Sequence, residues 1–114
     1  MNQNKVLQLL GLATKAGKTV SGEFAVEKAV KERNAKLVLI AEDASENSQK
    51  LFRNKCTYYT VPYVIFGTKE TLGKAVGKEY RSSVAVMETG FAETISKKLE
   101  HVVTAGKNGG SASV

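Results

Sequence analysis

At 114 residues the chain is long enough for one domain with a modest core and too short for two. Its 42% hydrophobic and 25% charged residues are an ordinary balance for a globular domain, and its longest apolar run, Leu37 to Ala41, falls far short of a membrane span. The net charge of +6 marks a basic protein and raises a polyanionic partner as one reading, a merely solubilising surface as the other.

The excess charge is unevenly placed. Residues 1–41 carry seven Lys/Arg against three Glu, and residues 50–81 carry seven Lys/Arg against two Glu. Between these blocks Glu42, Asp43 and Glu46 form an acidic island, and residues 82–114 balance three against three. The start, MNQNKVLQLL, lacks a secretory apolar core with a small-residue cleavage site. The single cysteine, Cys56, has no partner for an internal disulfide and agrees with a reducing compartment. A cytoplasmic location is the expectation.

In chain order, Val6, Leu9, Leu10, Ala13 and Ala16 recur at helical spacing and predict an amphipathic helix over 3–16 that ends at Gly17. Thr19–Val20 is a short extended piece. A second helix starts at Ser21–Gly22 and runs to about Arg33. LVLIA reads as a strand covered on both faces. Ser45 is a good N-cap for a helix over 46–57. Residues 61–66 read as a second buried strand, with Pro62 near its start, where a missing N–H is tolerated. Thr68 caps a short helix through Leu72 to Val76 that closes at Gly77. Residues 83–87 form a further strand and 89–104 a last helix. Alternating helices and strands imply an α/β fold with helices on both sheet faces. The domain spans 1–105, and the Gly/Ser-rich 106–114 reads as a disordered tail.

Gly17-Lys18-Thr19 resembles the end of a phosphate-binding loop. That loop needs G-x-x-x-x-G-K-[ST] between a strand and a helix, whereas Gly11 and Gly17 have five residues between them, not four, and lie at a helix end. Gly17 is better read as a helix C-cap. On a helical wheel Ala25, Val26, Ala29 and Val30 form a core face, and Phe24 shares the outward stripe with Lys28 and Lys31. An aromatic ring beside two lysines near a helix N-terminus offers a stacking plane, phosphate charges and free backbone N–H groups. The same residues also fit a plain solvated face. His101 stands alone without metal-ligand neighbours, Cys56 reads as a buried structural thiol, and Tyr58 and Tyr59 read as packing residues. Glu42 and Asp43, at a strand's C-terminal end, read as caps. No nucleophile–base–orienter set is present, which points away from an enzyme.

Three segments together carry a resemblance: LGLATKAGKTV (10–20), SGEFAVEKAVKERNAKLVLIAEDAS (21–45) and LGKAVGKEYRSSVAV (72–86). Over roughly residues 4–100 the chain resembles the kink-turn-binding ribosomal-protein family of L-seven-Ae and L-thirty-e type, in particular its small bacterial YlxQ-type members. The resemblance implies a three-layer α-β-α sandwich with a mixed four-stranded sheet and an RNA-binding role without a cofactor. It places Gly22 and the adjacent backbone in the groove of a kinked internal loop. Lys28, with Lys31 and Lys15 or Lys18, would neutralise phosphates. The loop with Gly77, Lys78, Tyr80 and Arg81 would pack against an extruded nucleotide. Family members often carry an Asn-Glu pair that reads sheared G·A base edges; here Phe24 and Ala25 stand at those positions. Glu23 beside them can accept a guanine N–H or simply favour the helix dipole. The implied partners are structured RNA, ribosomal RNA among the candidates, and protein neighbours in a ribonucleoprotein. A protein-interaction module on the same fold and a nucleotide-dependent enzyme built on GKT remain the rival readings.

Overall fold

The apolar run at 37–40 lies at the middle of the molecule. A computed structural model describes residues 2–104; the expected tail at 106–114 falls outside them. The order of elements is α1 (Asn2–Lys15), β1 (Thr19–Ser21), α2 (Glu23–Lys31), β2 (Leu37–Ile40), α3 (Glu46–Tyr59), β3 (Tyr63–Ile65), α4 (Lys69–Ala75), β4 (Ser83–Val86) and α5 (Thr89–Lys97).

The sheet order is β1-β4-β2-β3. The last strand, β4, sits between β1 and β2 and is antiparallel to both, with Ser21 opposite Val84 and Leu37 opposite Val86. Only β2 and β3 run parallel, joined through α3. All residues of β2 and β4 are buried, as a strand covered by helices on both faces requires. Helices α2 and α3 pack on each other, while α1 packs against α4 and α5. The result is the three-layer α-β-α sandwich with a mixed sheet that the resemblance implies.

The apolar spacing of α1 works as expected at Val6, Leu10 and Ala13, which are buried. Ser45 caps α3 by accepting from the Ser48 N–H at 3.1 Å, and Thr68 caps α4 in a reciprocal box with Thr71. Cys56 is buried among apolar groups, and desolvation pushes its thiol up to about 12, so it stays neutral and structural.

Three expectations are corrected. The final helix stops at Lys97 and not at 104: the chain turns through His101 at φ 67°, and Val103 pairs antiparallel with Tyr63. Second, β3 is an outer strand of only three residues, and its Ile65 is exposed. Third, Tyr58 is 77% exposed and does not pack as a core residue, whereas Tyr59 lies half-buried against the core.

Candidate nucleic-acid interface

The GKT segment is a helix stop. Gly17 takes φ 74°, its N–H donates to the Thr14 carbonyl at 2.9 Å, and the Lys18 N–H reaches back to Ala13 at 2.8 Å. The Thr14 and Thr19 hydroxyls meet at 2.8 Å across this turn. Lys15 and Lys18 are exposed here, where the Met87 N–H donates to the Lys18 carbonyl at 2.7 Å.

At the other end of β1 the chain enters α2 through Gly22, with φ 96° and ψ 151°. That region of backbone space is close to glycine-only, so the residue type follows from the entry angle. The Gly22 N–H donates to the Ser83 carbonyl at 3.2 Å, which ties the mouth of α2 to the start of β4. Arg81 reinforces the junction: its Nε donates to Ser21 Oγ at 3.0 Å and its Nη1 to the Tyr80 carbonyl at 2.8 Å. Arg81 Nε lies 3.9 Å from where a Cβ on Gly22 would sit. Two segments sixty residues apart thus form one surface.

The path of the 77–81 loop has its own cause. Helix α4 begins where Asp43 Oδ1 accepts the Lys69 N–H at 2.8 Å, so the acidic island serves as a cap. It ends at Gly77, φ 78°, with the Lys78 N–H returning to the Gly73 carbonyl at 2.8 Å. The loop then doubles back across its own helix, and the Arg81 N–H donates to the Lys69 carbonyl at 3.0 Å. A Cβ on Gly73 would stand 2.6 Å from the Glu79 carbonyl oxygen. Sequence reasoning missed Gly73; the signal available was a glycine inside a short helix where alanine would serve better.

On α2 the wheel holds except at Ala25, expected on the core face. Val26, Ala29 and Val30 are buried, Ala25 is half-buried, and Phe24 is 79% exposed on the stripe of Lys28 and Lys31. Phe24, Glu27, Lys28, Lys31 and Glu32 line a shallow depression of about 290 Å³. Its lysines are partnered: Lys28 Nζ is 3.0 Å from Glu32, and Lys31 and Lys55 approach Glu27 at 3.9 and 3.7 Å. Pairs this exposed are worth a few tenths of a kcal/mol, so a phosphate can compete for the lysines. Glu23 accepts from the Ser48 hydroxyl at 3.1 Å and links α2 to α3. Among the described residues Lys15, Lys18, Lys78 and Arg81 make no ion pair.

The structure therefore joins Gly22, at the mouth of the helix that carries Glu23, Phe24 and Ala25, to Arg81, the last residue of the loop that carries Gly77, Lys78 and Tyr80. Lys28 and Lys31 extend this surface along α2. Lys15 and Lys18 are not brought to it: Lys18 stands just before β1, roughly 13 Å of extended chain from Gly22, and Lys15 ends α1 before it. Among the described residues no group of three or more His, Cys, Asp or Glu gathers as a metal site, and no helix is long and apolar enough to cross a membrane.

Comparison with known proteins adds to this geometry. The family model described as "Ribosomal protein L7Ae/L30e/S12e/Gadd45 family" matches residues 4–96. The RNA-binding protein YlxQ of Bacillus subtilis (strain 168) is 48% identical over 92 residues, covering 81% of this chain and 92% of that protein. A solved structure of a Bacillus halodurans protein of unknown function superposes with a TM-score of 0.79 at 35% identity, covering 82% of this chain and 95% of the other. The Giardia lamblia 15.5kD RNA binding protein shares the fold, with a TM-score of 0.71 at 21% identity over 86% of this chain and 90% of its own. The matched span contains the Gly22 entry and the 77–81 loop that meets it, and the chain belongs to the ribosomal protein L7Ae/L30e/S12e/Gadd45 family.

Proposed function

We propose that this chain is a cytoplasmic, ribosome-associated RNA-binding module that recognises a kink-turn-like internal loop in structured RNA, with no chemistry of its own and no cofactor. The observation that carries the reading is the junction at Gly22, where Arg81 bridges the mouth of α2 to the 77–81 loop. Both segments belong to the resemblance, and the named relative from Bacillus subtilis is an RNA-binding protein. In this reading the Gly22 backbone enters the groove at the kink, Lys28 and Lys31 exchange their glutamates for phosphates, and Tyr80 packs on the extruded base.

A kink-turn RNA and a straight duplex of equal length, compared at near-physiological salt, test the reading. The kink-turn is expected to bind more tightly; equal affinities would reduce the surface to generic basic attraction.

Lys28 gives a residue-level test. Its side chain is exposed and only ion-paired on its own helix, so Lys28→Ala should leave stability within about 0.5 kcal/mol. It should weaken RNA binding and flatten the slope of log K against log salt by roughly one unit or less, as for one lost phosphate contact. Lys97→Ala on α5 is the control and should change neither. Equal effects from both variants would assign binding to bulk charge.

A protein-interaction module is the second reading, favoured by one observation: Phe24 is exposed in a depression whose lysines already have carboxylate partners. A salt titration separates the two, because RNA affinity falls steeply with log salt and an apolar protein contact does not.

A further inference from the structure

Two cations of α3 differ from the lysines of α2. Lys50 and Arg53 are exposed, and among the described residues neither meets a carboxylate, although Lys28, Lys31, Lys55 and Lys74 all do. They lie on the outward side of α3, opposite buried Phe52 and Cys56. Asn54 and Thr57 continue that exposed side without a Val, Leu, Ile or Met, and it ends at Tyr58.

Tyr58 is held in place yet open. Its ring meets Tyr59 edge-on at 4.8 Å between centroids, and the Arg33 guanidinium carbon lies 5.7 Å from the Tyr59 centroid. Arg33 and Thr60 each adopt a left-handed turn, at φ 61° and 56°, which closes α2 and α3 beside one another. The two helices run alongside: Glu23 touches Ser48 near their starts, Glu27 touches Lys55 midway, and Arg33 caps Tyr59 at their ends. Tyr58 therefore lies about one helix length, roughly 16 Å, from Gly22 on the same layer.

We propose that the outward stripe of α3, from Lys50 and Arg53 to Tyr58, is a second RNA contact. It takes a single-stranded segment leaving the structured RNA, with phosphates against the two cations and a base stacked on Tyr58. This rests on the RNA-binding reading of the α2 surface. Cations without ion pairs, followed by neutral polar residues up to the ring, match a polyanion, whereas a protein partner would find no apolar anchor besides the ring. Stacking on an exposed aromatic accepts any base, and the stripe of about 12 Å has room for a few nucleotides.

The test compares a blunt-ended kink-turn RNA with the same RNA carrying six unpaired uridines at its 5′ or 3′ end. One overhang is expected to tighten binding about tenfold, within the range for one stacked base plus phosphate contacts. Tyr58→Ala, and separately Lys50→Ala with Arg53→Ala, should remove most of that gain and leave blunt RNA within twofold. Tyr58→Phe should keep the gain, and unchanged melting temperatures would show that all variants fold. If neither overhang affects the parent protein, or Tyr58→Ala weakens blunt RNA equally, α3 is not a separate RNA contact; a Tyr58-dependent protein complex without an overhang gain would mean the same. Failure of the parent to bind either RNA would instead remove the underlying function, and this inference with it.

Discussion

Gly73→Ala is expected to destabilise the protein by about 1–3 kcal/mol and to weaken RNA binding beyond what the lost stability explains. Two effects oppose each other at this position. Alanine is the better helix former by up to about 1 kcal/mol, which favours the variant. Against that, its Cβ would lie 2.6 and 2.7 Å from the Glu79 carbonyl oxygen and carbon, and 2.9 Å from the Tyr80 Cα. These are backbone atoms, so no side chain can rotate to relieve the clash. The loop must lift, which strains the Lys78-to-Gly73 and Arg81-to-Lys69 hydrogen bonds and carries Arg81 away from Ser21. A denaturant melt measures the first effect, and titration with kink-turn RNA under conditions where the variant is fully folded measures the second. A variant at least as stable as its parent, with unchanged affinity, would show that close packing on Gly73 does not fix the loop.

The largest change in specificity is expected from replacing Phe24 and Ala25 together, Phe24→Asn with Ala25→Glu. Phe24 is 79% exposed and Ala25 half-buried at the first turn of α2, so the exchange leaves the core face of Val26, Ala29 and Val30 intact. Stacking area is lost, and groups that can hydrogen-bond base edges are gained. Each good polar contact of this kind contributes roughly 1–3 kcal/mol of discrimination, by analogy with groove readout in DNA. The double variant should therefore prefer tandem G·A pairs over Watson–Crick pairs in the same loop by tenfold or more relative to its parent. Absence of any gain, with the melting temperature preserved, would show that these two positions do not face the bases.

Local chemistry made much of this fold readable. The caps at Ser45 and Thr68, the glycine ends at 17 and 77, and the fully apolar strand at 37–40 are all written in neighbouring residues, and all are present. What was not readable depends on distant segments. The apolar residues Leu99, Val102 and Val103 extend the pattern of the last helix, yet Leu99 and Val102 pack against the core from an irregular chain and Val103 bonds to Tyr63. Tyr58 and Tyr59 are a different case: about 100° apart around α3, Tyr59 falls on the side of buried Phe52 and Cys56 and Tyr58 outside it, which a wheel drawn on this helix would have separated. For the interface, spacing along α2 correctly turned Phe24, Lys28 and Lys31 outward. It could not say that Lys15 and Lys18 stand at the other end of β1, that Glu27 and Glu32 partner the lysines, or that Gly73 sets the path of the second loop.

The position of β4 between β1 and β2 also constrains how the molecule comes together. Strands β2 and β3 can pair early, since only α3 separates them in the chain. Strand β1 has no neighbour until residues 83–86 arrive, more than sixty positions later. Closing so long a loop is entropically costly, and the contacts that compensate form all at once when the central strand docks. A segment that ends at Ser82 lacks β4, so the sheet cannot be completed, and Gly22 lacks its bond to Ser83 that ties the mouth of α2 beside Arg81. The strand that closes the sheet is thus also the one that fixes the Gly22 end of the interface.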